Sequence, residues 1–141
     1  MNKQQGAGLI EVLVTVLILG TSLLALAALQ SKSLQYNHSA YLRSQANILA
    51  YDILDRVRIN RANMSGYSLA MAADKPTGST VAQTDMSDWL TNIETMLPGA
   101  DGSVQCVAAS GLCTVTVQWA EQNSSGEQSE DQGSFIYTTR I

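Results

Sequence analysis

Charge is scarce in this sequence. Of its 141 residues, 14 % are charged, with 8 Lys and Arg against 12 Asp and Glu. The net charge of −4 and a pI near 4.7 argue against a nucleic-acid binder, because phosphate recognition needs clustered basic side chains. The arginines form no such patch: Arg56, Arg58 and Arg61 lie near the end of one helical stretch. The single histidine, His38, has no cysteine or acid cluster beside it, so no metal site is legible and no cofactor is implied. There is no glycine-rich phosphate loop, no nucleophile elbow and no Cys–His pairing of active-site type. The acids Asp52 and Asp55 share a charged helix face rather than a cleft. An enzyme is therefore not expected. Proline is nearly missing too, with Pro76 and Pro98 alone, and neither Gly nor Pro occurs between Thr21 and Met64.

What the chain does have is concentrated at its start. Met1–Gly6 is short and polar with one basic residue, Lys3, and from Ala7 to Ser31 the only charged residue is Glu11. As a helix, Gly8–Leu29 rises roughly 33 Å, enough to cross a hydrocarbon core roughly 30 Å thick. A buried core helix is the alternative, but no other part of the chain is apolar enough to wrap a helix that is apolar all round. A secretory signal places its small-residue cleavage site after the apolar centre. Here the small residue, Gly6, comes before it, so cleavage there would keep the apolar helix on the mature protein. Glu11 sits near the helix N-terminus, where negative charge is favourable. Cleavage after Gly6 would place a free α-amine on Ala7 about one turn away. Between stems packed side by side, one carboxylate could meet a neighbour's amine and set the register of assembly. The bland alternative is a Glu at the membrane edge.

The run Gly6-Ala7-Gly8-Leu9-Ile10-Glu11-Val12-Leu13-Val14 resembles the class III leader and stem start of type IV prepilins and of type II secretion pseudopilins. The resemblance implies that a membrane prepilin peptidase cuts between Gly6 and Ala7 and N-methylates Ala7. It also implies that Glu11 is needed for assembly. Ala7 stands where the family most often has Phe, and the stem lacks the proline that many major pilins carry; Gly20 is its one weak point. The segments Leu24–Gln30 and Leu49–Asn60 are similar to the PilV group of minor pilins, so the resemblance covers close to the first half of the chain.

Beyond the membrane stretch, Leu42, Ala46, Leu49, Ile53 and Val57 recur at spacings of one helix face, opposite Ser44, Asn47, Tyr51, Asp55 and Arg58. One helix over about Ala7–Ala62 follows, with Asp52 and Arg56 spaced as an i, i+4 pair of small energetic weight. Asn63–Thr84 reads as loop. A short helix capped by Asp85 or Ser87 follows, with Trp89, Leu90, Ile93 and Leu97 on its apolar side and Pro98-Gly99 as its stop. The alternation Val115, Val117, Trp119 marks a strand after Cys113, paired through an Ala109–Gly111 turn with Val104–Val107. Cys106 and Cys113 then fall near the closed end of a hairpin, within disulfide reach, though two free thiols packed as small hydrophobes fit the spacing as well. Asn123–Ser134 reads as an acidic loop and Ser134–Arg140 as a last strand.

The expected fold is α+β: a long N-terminal helix packed against a small antiparallel sheet, the pilin-like arrangement. The expected parts are a leader (1–6), a transmembrane assembly stem (7–30), an amphipathic continuation (31–62) and a globular periplasmic head (63–141). The resemblance implies a minor pilin in the inner membrane that joins other minor pilins and the major pilin through an assembly platform, supporting type IV pili and twitching motility. A type II secretion pseudopilin is the nearest alternative. A tip adhesin or DNA-uptake pilin is a further one, although the acidic charge disfavours direct DNA binding.

Overall fold

The computed structural model describes residues 8–122 and 128–141. Its elements are α1 (Leu9–Ile59), a 3-10 helix (Arg61–Tyr67), α2 (Val81–Met96), β1 (Asp101–Val107), β2 (Leu112–Gln122) and β3 (Gln128–Arg140). The chain divides into two compact units, one up to Asn37 and one spanning His38–Ile141.

The second unit is two-layered, as an element with one apolar face requires. Within it α1 buries Leu42, Ala46, Leu49, Ala50, Ile53, Leu54 and Val57, while Ser44, Asn47, Tyr51, Asp55 and Arg58 are exposed, as the helical spacing demands. The other layer is a three-stranded antiparallel sheet in the order β1-β2-β3. Its inner face presents Cys113, Val115, Val117 and Trp119, all fully buried, in one core with the α1 face and with Trp89, Leu90, Ile93 and Leu97. The indole N–H of Trp89 donates to the Leu49 carbonyl at 2.8 Å, tying α2 to α1 inside the core.

Four expectations need correction. First, α1 stops at Ile59, not Ala62. Asn60 leaves helical geometry at φ −108°, ψ 37°. Its side chain accepts from Asn63 Nδ2 at 2.8 Å and donates to the Tyr67 hydroxyl at 3.2 Å, so local amide bonds compete with the helix. Second, Asn63–Thr84 is not all loop: the 3-10 helix holds Met64 and Tyr67 in the core, and Leu69 exchanges two backbone hydrogen bonds with Val104 on the outer edge of β1.

Third, α2 is capped by Thr80, not Asp85 or Ser87. Thr80 and Gln83 form a reciprocal capping box, leaving Asp85 free for tertiary contacts. Fourth, the last strand starts at Gln128 rather than Ser134. β2 runs to Gln122 and its outer half pairs with β3, Trp119 opposite Gly133 and Gln122 opposite Gln128, with an irregularity near Ala120. Residues 123–127 of the expected acidic loop lie outside the described residues.

Two glycines are dictated by the core. A Cβ on Gly133 would collide with the Trp119 indole, and one on Gly102 would sit 2.6 Å from Trp89 and 2.8 Å from Ile93. Gly102→Ala is therefore expected to destabilise the head by about 1–3 kcal/mol, the usual overpacking penalty. Gly20, with nothing within 4 Å of such a Cβ, tolerates Ala without lowering the head's unfolding midpoint. Denaturant unfolding of the two variants, followed by Trp fluorescence, checks both statements.

Candidate assembly site

The first unit is a bare helix. Its apolar window has a mean hydropathy of 2.6, and 0 % of it is buried within the protein. Leu9, Leu13, Leu17 and Leu24 are all well exposed, which is tolerable only in lipid or among other such helices. The three hydroxyls of the stretch are satisfied internally. Thr15 Oγ1 donates to the Val12 carbonyl at 2.8 Å, Thr21 Oγ1 to Ile18 at 3.0 Å and Ser22 Oγ to Ile18 at 2.7 Å. Such back-bonding removes the hydroxyl desolvation penalty within a bilayer.

Gly8 starts the helix, its carbonyl accepting from the N–H of Glu11 at 2.8 Å. Glu11 lies in the first turn, in the favourable orientation to the helix dipole. It is exposed, and among the described residues no cation lies within ion-pair distance of it. Gly6 and Ala7 lie outside the described residues.

In the second unit, Cys106 and Cys113 are directly opposite in the β1–β2 register and joined by a disulfide, with Cα atoms 4.1 Å apart. The link closes a short hairpin end through Ala108–Gly111, where Gly111 takes φ +67°.

Sequence reasoning missed a half-buried polar cluster at the junction of α1, the 3-10 helix and α2. Arg56 reaches Asp52 at 3.2 Å and Asp85 at 3.3 Å. The Tyr67 hydroxyl donates to the second Asp85 oxygen at 2.6 Å. Burial pulls the Arg56 pKa down, but the two carboxylates outweigh it and the net shift is upward. Burial, then the bond to Asp85, raises the Tyr67 pKa. The signal for the cluster was present in part: the Thr80-x-x-Gln83 pattern could have moved the helix start and released Asp85 from a capping role.

Among the described residues no group of three His, Cys, Asp or Glu side chains could hold a metal ion. The cluster itself joins elements and faces no enclosed cavity with a nucleophile. What the arrangement offers is a set of contacts that joins α1, the 3-10 helix and α2.

The Tyr67 shift has a signed consequence. The folded state holds this proton more tightly than the unfolded chain does, so its stabilisation is complete below the unfolded Tyr pKa of about 10 and is lost as pH rises through the folded value. Tyr67→Phe is expected to reduce the fall in stability between about pH 9 and pH 11. Removing its bond to Asp85 should also cost about 1–2 kcal/mol at neutral pH. Denaturant midpoints across that pH range test both.

Residues 1–27 match the family described as the prokaryotic N-terminal methylation motif. No curated protein and no solved structure is similar enough to the chain to count as a match. The matched segment contains Gly6, Ala7 and Glu11 and runs through most of the apolar helix. The chain is thus pilin-like: it carries the class III prepilin motif, one helix long and apolar enough to cross a membrane, and a long N-terminal helix packed on a three-stranded antiparallel sheet.

Proposed function

We propose that this protein is a minor pilin of the type IV pilus, closest to the PilV group, with a structural rather than catalytic role. The observation that carries the reading is the methylation motif over residues 1–27 placed on an apolar helix that none of the described residues covers. Prepilin peptidase removes residues 1–6, cutting between Gly6 and Ala7, and methylates the new amine of Ala7. The stem, residues 7–30, then holds the subunit in the inner membrane with its head in the periplasm.

Extraction from the membrane into a filament exchanges lipid contacts for contacts with other apolar stems, so the stem's exposed surface is covered at both stages. Glu11 is the one charge in that surface. A carboxylate near the apolar phase gains by meeting a cation there, and the methylated amine of an adjacent stem supplies one. The subunit enters a priming or tip complex with other minor pilins and the major pilin through the inner-membrane assembly platform, and so promotes pilus formation and twitching motility. The disulfide of the β1–β2 hairpin suits a head that works in an oxidising compartment.

A pseudopilin of type II secretion uses the same leader and stem. The similarity of Leu49–Asn60 to pilus minor pilins favours the pilus reading.

The test is a comparison of wild type, Gly6→Val and Glu11→Ala in a strain lacking the native gene. Gly6→Val should stay at precursor size on immunoblots. Glu11→Ala should be processed yet fail to restore sheared surface pili. If both variants are processed and restore pili normally, the stem is only an anchor and the reading fails. If pili never depend on the gene but a secreted substrate does, the pseudopilin reading replaces it.

A further inference from the structure

The turn of the β1–β2 hairpin and the end of β3 frame a surface depression of about 360 Å³, within the size range of small-molecule sites. Its walls are fixed. The turn Ala108–Gly111 lies inside the loop closed by the Cys106–Cys113 disulfide. The Gly111 carbonyl accepts from the Ile141 N–H at 2.7 Å, which ties that turn to the end of β3. Met64 and Ile141 are both buried in the head's core and line the depression from below.

Two guanidinium groups stand at this one depression. Arg61 comes from the first position of the 3-10 helix, next to Asn60, which is held by its bonds to Asn63 and Tyr67. Arg140 comes from the last position of β3, directly opposite Leu112. They are far apart in the chain, and only the fold brings them to the same cavity. Both are exposed. The salt bridges among the described residues engage Arg56, Arg58 and Lys75 instead. No described carboxylate, that of Ile141 included, is within ion-pair distance of Arg61 or Arg140.

Like charges gathered in one depression repel, and the described residues supply no counter-charge to offset this. A ligand that offsets it is an anion. The arginine fork binds oxyanions through paired N–H···O bonds. A carboxylate brings one charge and two oxygens, enough for one guanidinium group. A phosphate monoester brings three terminal oxygens and a charge of about −1.5 to −2 at pH 7, which matches two. The depression has room for more than that one group. Met64, Ala108, Ala109 and Ile141 make the rest of its lining largely apolar, which suits a ring or an alkyl chain.

The geometry points to a binding site for a phosphate monoester carried on a small ring or apolar body, with Arg61 and Arg140 holding the phosphate and Met64 and Ile141 beneath the body. The site belongs to the head alone and does not depend on the reading of the chain as a minor pilin.

The experiment uses the full chain in a maltoside detergent, which carries no phosphate, and titrates it calorimetrically at constant ionic strength. The probes are phenyl phosphate, inorganic phosphate and benzoate. Phenyl phosphate should bind saturably at one per chain. Inorganic phosphate should compete with it but bind about tenfold more weakly, because it covers no apolar lining. Benzoate should bind more weakly than phenyl phosphate, because it leaves one arginine unmatched. Arg61→Gln and Arg140→Gln should each weaken phenyl phosphate at least about tenfold, the loss expected for hydrogen bonds to a charged group. Arg43→Gln, which changes an exposed arginine of α1 outside the depression, should bind like wild type. Unchanged Trp fluorescence in the variants shows that the head remains folded, since both indoles are buried in its core. Absence of saturable binding, equal weakening by Arg43→Gln, or wild-type affinity in Arg61→Gln and Arg140→Gln would overturn the site. Inorganic phosphate binding as tightly as phenyl phosphate would overturn the role of the body, and benzoate doing so would overturn the choice of phosphate.

Discussion

A helix that is apolar on every side has to be covered, and the described residues provide no cover for it. The apolar part of α1 is unburied within the protein, while the same helix farther on buries one face against a sheet. Two solvents are thus written into a single element. Where apolar residues occur at every position, the surroundings are lipid or other stems. Where they recur every three to four positions, the surroundings are a protein core on one side and water on the other. The back-bonded hydroxyls of Thr15, Thr21 and Ser22 belong to the first regime. The exposed Tyr51, Asp55 and Arg58 belong to the second.

The head has to be held onto that helix by a modest core. Trp89 and Trp119 are its largest fully buried side chains, and both are seated over glycines, Gly102 and Gly133. These flat contacts explain how a sheet of three strands and one short helix can exclude water from an α1 face of seven residues. The polar cluster of Arg56, Asp52, Asp85 and Tyr67 closes the edge where α1 ends. Half-buried and multiply bonded, it offsets the desolvation of Arg56 with two carboxylates rather than one. Its position also decides which way the chain leaves α1. The asparagine pair Asn60 and Asn63, bonded to each other and to Tyr67, turns the backbone into the 3-10 helix.

Function rests on the uncovered part. The methylation motif lies at the start of that apolar helix, and on the proposed reading the helix is kept after cleavage and packs against a partner phase. In the proposed reading, Glu11 gives that surface its one directional feature, because hydrophobic contact alone does not fix register whereas a charge seeking a counter-charge does.

The sequence by itself determined the parts whose physics is local. The uncharged run with Glu11 near its start, the helical spacing from Leu42 to Val57 and the alternation Val115, Val117, Trp119 each follow from one residue's distance to the next, so their elements could be read directly. The boundaries and the cluster could not. Whether Asp85 caps α2 or meets Arg56 depends on where α1 passes, 29 residues earlier in the chain. Whether Gln128–Gly133 is loop or strand depends on how far β2 extends and on the flat face of Trp119 finding a glycine across the ladder. Those are contacts between residues distant in sequence, and only the tertiary structure could decide them.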